Sequence, residues 1–119
     1  MSANTCVITN YPAQKFRLTK CFATQPLIEP TFPRNLQQIF ELAQQSTLLL
    51  IIVALNEAPK AARKICKSLK KNPVTQNVPV VLVKNPGIQE KEQLADAYLA
   101  SDFDARDVEQ IVRQLTMGY

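Results

Sequence analysis

Thiols are few in this chain and imidazoles are absent. Cys6, Cys21 and Cys66 are its three thiols in 119 residues, and it contains no histidine. A zinc site needs about four N, S or O donors, commonly with Cys in CxxC pairs, and here the cysteines are widely spaced. Without histidine there is no Ser–His or Cys–His nucleophile, and the commonest general base is gone. The cysteines therefore read as small buried hydrophobes. The competing reading, a cysteine enzyme on a thioredoxin-like scaffold, lacks its CxxC. Charge is more strongly patterned. Lys60, Arg63, Lys64, Lys67, Lys70 and Lys71 fall within residues 58–73 with no acid among them. Residues 89–109 hold Glu90, Glu92, Asp96, Asp102, Asp104, Asp107 and Glu109, seven of the ten acids, against Lys91 and Arg106. The basic run suits an acidic protein surface better than nucleic acid, because no aromatic residue is interleaved to stack on bases.

The elements that must carry these residues follow from pattern. Thr5–Thr9 is short, apolar and β-branched, and ends at Asn10-Tyr11-Pro12, as a buried strand does. Pro12 suits a first helical turn, and residues 13–25 form a helix that stops before Pro26. "LIEPTF" (27–32) is strand-like but bracketed by prolines, which cannot donate to a ladder, so it belongs on a sheet edge. Asn35 caps a helix over 35–45, with Leu36, Ile39, Phe40 and Ala43 on one face. Leu48–Ala54 shows no alternation at all, as expected of a parallel strand covered on both faces.

The second half repeats the alternation. Residues 58–71 form a helix with Pro59 in its first turn and Ala62, Ile65, Cys66 and Leu69 along its apolar face. Val78–Lys84 is a second continuous apolar strand, and residues 89–97 ("QEKEQLADA") read as a short, weakly apolar helix. "AYLAS" (97–101) is a last strand. Asp104 caps a helix over 105–115, with Val108, Ile111, Val112 and Leu115 on its buried stripe. Strands alternating with amphipathic helices imply parallel pairing and right-handed crossovers, hence a doubly wound α/β sandwich. The length fits one domain, residues 1–119. A hydrophobic content of 46% with 20% charged residues fits a globular chain rather than a disordered one. No apolar run approaches the roughly 20 residues of a membrane span, and the N-terminus lacks a secretion signal, so the cytoplasm is the expected location.

From residue 48 onward the chain resembles the receiver domains of bacterial response regulators. "CKSLK" from Cys66 is similar to that family's "CRRLR" helix, which puts Ala54 where the family carries its phosphorylatable aspartate. "NPVTQNVPVVLVK" resembles its fourth strand, and "LADAYLASDFD" its "GADDYLTKPFD". The first 47 residues fit by element order only, with "VITNYP" in the place of the acidic "VVDDEP" turn. The resemblance implies a five-stranded flavodoxin-like (CheY-like) parallel sheet of strand order 2-1-3-4-5. It also implies a degenerate site. Thr9 and Asn10 replace the Mg²⁺-binding acids, Lys84 replaces a Thr or Ser, and Ser101, followed by Asp102, replaces the lysine of the family's Lys-Pro pair. Tyr98 matches the family's switch aromatic.

An alanine methyl cannot attack phosphorus, and Mg²⁺ needs hard oxygen ligands, normally carboxylates. The expectation is therefore a pseudo-receiver: not an enzyme, holding no cofactor or metal, and signalling in a two-component setting by protein–protein contact. Its partner would be a sensor kinase, an output domain or another signalling protein, with Lys60, Arg63, Lys64, Lys67, Lys70 and Lys71 as the contact surface. A weak homodimer is open as well. The alternative is a pseudo-receiver that senses a small molecule at the C-terminal strand ends. Lys84 is read either as filling the vacated acidic pocket near Asp102 or Asn10, or as a strand-end lysine reaching water. Tyr98 is read as a switch rotamer or a core-edge aromatic, and Asn56, Glu57 and Asn85 as polar loop residues around the pocket. The basic helix and the acidic tract are expected on different faces of the sandwich.

Overall fold

In a computed structural model of the protein, the structure describes residues 3–10, 12–23, 28–45, 48–55, 59–84 and 94–116. Their elements alternate in type as far as β4: β1 (Ala3–Thr9), α1 (Pro12–Phe22), β2 (Ile28–Thr31), α2 (Leu36–Gln45), β3 (Leu48–Ala54) and α3 (Pro59–Lys71). β4 (Val80–Val83), β5 (Ala97–Leu99) and α4 (Ala105–Thr116) complete them. The strands form one parallel sheet in the order β2-β1-β3-β4-β5.

β3 is central and buried from end to end except for Leu49. Its side chains alternate between two cores. Ile51 and Val53 pack with Ile39 of α2 and with Ala62, Cys66 and Leu69 of α3. Leu50, Ile52 and Ala54 pack with Leu18, Cys21 and Phe22 of α1 and with Val108 and Val112 of α4. A strand covered on both faces has no polar side to show, which explains the unbroken aliphatic run. β2 lies on the edge, where Pro30 costs no ladder bond.

Helix ends match their caps. Asn35 Oδ1 accepts from the Gln38 N–H at 3.0 Å, and Gln38 Oε1 accepts from the Arg34 N–H at 2.7 Å. At α4 the capping is reciprocal: Asp104 Oδ1 accepts from the Asp107 N–H (3.1 Å) and Asp107 Oδ2 from the Asp104 N–H (3.0 Å).

Several boundaries differ from the sequence reading, among them β1, which starts at Ala3 rather than Thr5, and β5, which ends at Leu99 rather than Ser101; three have a visible reason. α1 ends at Phe22 rather than residue 25, where the Ala23 N–H closes on the Thr19 and Lys20 carbonyls. The fourth strand is confined to Val80–Val83. Pro79, which has no N–H to donate, instead accepts from Ile51 N through its carbonyl at 2.9 Å. The helix read over 89–97 falls mostly outside the described residues, but its last part is not helical: residues 94–96 lead directly into β5. Asp96 is used there to close backbone at the start of β4, its N–H donating to the Val80 carbonyl at 2.8 Å and its carboxylate accepting from Val80 N at 2.7 Å. That tertiary pairing overrides the helix preference of Leu-Ala-Asp-Ala.

Candidate functional site: the carboxyl ends of the strands

In a parallel α/β sheet the carboxyl ends of the strands open onto the loops that carry function. β1 ends in Thr9, half-buried, followed by the exposed Asn10. β3 ends in Ala54, which pairs in register with Thr9 and is 1% exposed. Its methyl belongs to the core on the α1/α4 side, while Val53 and Leu55 seal the other side. Lys84 follows β4, half-buried, with its backbone N–H donating to the Leu99 carbonyl at 2.8 Å. Ser101 is exposed in the turn after β5. The fold thus brings Thr9 and Ala54 side by side and sets Lys84 and Ser101 at the ends of the next two strands. Asn56, Glu57 and Asn85 lie outside the described residues.

Arg17, on α1, was not singled out from sequence, yet it organises the turn after β5. One guanidinium nitrogen donates to the Ser101 carbonyl at 3.3 Å, another donates to the Phe103 carbonyl, and the group stacks 4.3 Å from the centroid of the Phe103 ring. A planar guanidinium can bond and stack at once, which a lysine cannot do. A lone arginine within a basic helix carries no sequence signal for a contact more than 80 residues away.

Tyr98 is half-buried against the α2/α3-side core. Its hydroxyl oxygen accepts from the Leu94 N–H at 2.9 Å and the Ala95 N–H at 3.4 Å. Here the ring closes the chain just before its own strand.

The six basic residues of α3 divide by environment. Lys60, Lys64, Lys67 and Lys71 are exposed. At 3.6 residues per turn they fall within an arc of about 60°, a stripe roughly 16 Å long. Arg63 is half-buried. Lys70 is committed within the molecule: its Nζ lies 2.5 Å from Asp96 Oδ2 and donates to the Val78 carbonyl at 3.4 Å. The expected separation of basic and acidic tracts therefore holds for Asp104, Asp107 and Glu109 at α4, across the sheet from α3, but not for Asp96. Glu90 and Glu92 lie outside the described residues.

All three cysteines are buried. Burial pushes the Cys6 and Cys66 thiols up to about 11, and raises Cys21 as well against the nearby Arg17 charge. They are neutral, poorly nucleophilic thiols at physiological pH.

No family model and no curated protein matches the sequence. Solved structures do match the fold across the whole chain. The receiver domain of a sensor histidine kinase (PA1611) from Pseudomonas aeruginosa, whose active-site cleft coordinates magnesium, superposes with a TM-score of 0.78 at 13% identity, covering 100% of both chains. The signal receiver domain of a histidine kinase from Syntrophus aciditrophicus gives 0.78 at 16% identity, over 98% of this chain and 92% of the other. The chemotaxis response regulator CheY4 of Vibrio cholerae gives 0.75 at 12%, over 97% and 99%. The chain has the receiver-domain fold. Its strand order, and the two core layers on either side of the sheet, are those of this fold. Among the described residues no helix is long and apolar enough to cross a membrane.

Proposed function

We propose that this protein is a signalling module of receiver fold that cannot be phosphorylated, is not an enzyme, and acts through protein–protein contact. One observation carries the reading: the end of β3 is an alanine, 1% exposed and packed as core. An acceptor must be a nucleophile with room for an incoming phosphoryl group, and a buried methyl offers neither. The donor set does not suit Mg²⁺ either. Thr9 and Asn10 supply no carboxylate to offset the cost of dehydrating the ion, and no cluster of three or more Asp, Glu, Cys or His occurs among the described residues.

With that chemistry gone, the surface is what remains to act. The four exposed lysines of α3 form a single-sign stripe, and among the described residues none of them is matched with a carboxylate. Such a stripe favours an acidic protein partner through steering and register. Incubation with acetyl phosphate and Mg²⁺ followed by intact-mass analysis tests the reading. Unchanged mass is expected, and a stable gain of one phosphoryl group on an aspartate would overturn it.

A further inference from the structure

A cleft of about 490 Å³ opens beside the carboxyl ends of β1 and β3, between the start of α2 and the first turns of α3. Its place follows from topology. In the order β2-β1-β3-β4-β5 the chain reverses its direction of winding between β1 and β3, and the crevice outside such a switch point is where open α/β sheets take ligands. Its volume lies within the roughly 300–1,000 Å³ of small-molecule sites.

The lining is amphipathic and of one sign. Phe32, Leu36, Leu55 and Ile65 supply apolar wall, while the charged residues are Lys15 and Arg34. No carboxylate is among the described lining residues. The Lys15 ammonium stands 5.0 Å from the centroid of the Phe32 ring, so a cation lies directly against that wall. The first turn of α2 is already closed by the Asn35–Gln38 cap, which leaves attraction of an anion to the two side-chain charges.

We propose that this cleft binds a small amphipathic organic anion, its flat apolar body against Phe32, Leu55 and Ile65 and its charge between Lys15 and Arg34. A bare inorganic anion would leave the apolar wall without a partner. A neutral ligand would forgo both cations, and a cationic one would be repelled by them. The site is separate from the α3 lysine stripe, so its failure would leave the partner reading untouched.

The test is an NMR titration of the whole chain with 1-naphthyl phosphate, run beside neutral 1-naphthol and inorganic phosphate. The expected result is saturable shifts clustered at Thr9, Asn10, Phe32 and Leu55, with 1-naphthyl phosphate at least about tenfold tighter than either control. The Lys15→Gln/Arg34→Gln double variant should weaken it about tenfold, a change of 1.4 kcal/mol, with only a small fall in melting temperature, since both side chains are exposed and, among the described residues, only the Lys15–Phe32 contact is lost. The absence of saturable shifts, shifts clustered elsewhere, or equal binding of the neutral compound would each overturn the proposal on the unmodified protein. Equal binding by the double variant would do so as well.

Discussion

The carboxyl end of β3 and the amino ends of β4 and β5 are built from opposite materials. At the carboxyl end of β3, Val53, Ala54 and Leu55 are apolar and at most 7% exposed. At the amino ends of β4 and β5, polar groups gather. Asp96 takes the Val80 N–H and the Lys70 ammonium, Tyr98 takes two backbone N–H groups, and the buried Thr75 hydroxyl donates to the Leu69 carbonyl at 2.7 Å. The carboxyl end of the central strand is packing, and the polar groups at the other end close backbone that would otherwise go unpaired. A cluster of charged and hydroxyl residues is thus not in itself a site. What each group bonds to decides.

The largest expected effect comes from attacking the apolar end's own strand. Ile52 is 1% exposed in the middle of β3, between the sheet and the α1/α4 layer. Ile52→Asp buries an unpaired carboxylate, a cost of several kcal/mol against a typical domain stability of about 5–15 kcal/mol. Loss of the cooperative thermal transition by circular dichroism is expected. A soluble variant that melts like the parent would mean that β3 is not the spine of the sheet.

A middle-sized effect separates backbone closure from charge pairing at the polar end. Asp96→Ala removes the acceptor of the Val80 N–H, which costs about 1–3 kcal/mol when that group is left without a partner. The ion pair adds little, because the Lys70 and Asp96 side chains are 33% and 40% exposed and such pairs contribute about 0–1 kcal/mol. Chemical denaturation should therefore rank Asp96→Ala as clearly destabilising, with Asp96→Asn milder because an amide oxygen can still accept, and Lys70→Ala below about 1 kcal/mol. Equal losses for Lys70→Ala and Asp96→Ala would put the charge pair, not the backbone bond, in control of this end.

The same contrast marks what could be read from the chain alone. Leu48–Ala54 was legible because burial on both faces abolishes alternation, and the caps at Asn35 and Asp104 were legible because capping is a local event. The Lys70–Asp96 pair joins positions 26 apart and the Arg17 clasp positions 84 and 86 apart, so neither leaves a periodic trace. Asp96 was misplaced in a helix for that reason: Leu94-Ala95-Asp96-Ala97 suits a helix locally, and only the meeting with Val80 makes it the lead into β5. At the carboxyl ends of β1 and β3, the proposed loss of phosphorylation chemistry was suggested by residue types set against a family resemblance, whereas the cation-lined cleft beside them depends on Lys15 of α1 and Arg34, beyond β2, lining one cleft.

The smallest expected effect on stability belongs to the surface, where the comparison of ends turns into one of faces. Lys64 and Lys67 are exposed on α3, away from the buried Ala62, Cys66 and Leu69. Lys64→Glu combined with Lys67→Glu breaks a run of like charges at i, i+3 and i+4 spacing, so the helix should lose nothing and gain at most a few tenths of a kcal/mol. The melting temperature should stay within about two degrees, since exposed substitutions of this kind rarely exceed ±0.5 kcal/mol. Association should respond instead. A stripe of this kind acts through charges screened beyond about 8 Å at physiological salt, so binding to an acidic partner, or weak self-association, should fall as salt rises and should lose that dependence in the double variant. Partner capture and sedimentation velocity, each at low and high salt, give the readout. If both are unchanged by the reversal at either salt, the stripe is only a solvated face, and the contact surface has to be sought on the Tyr98 side of the sheet.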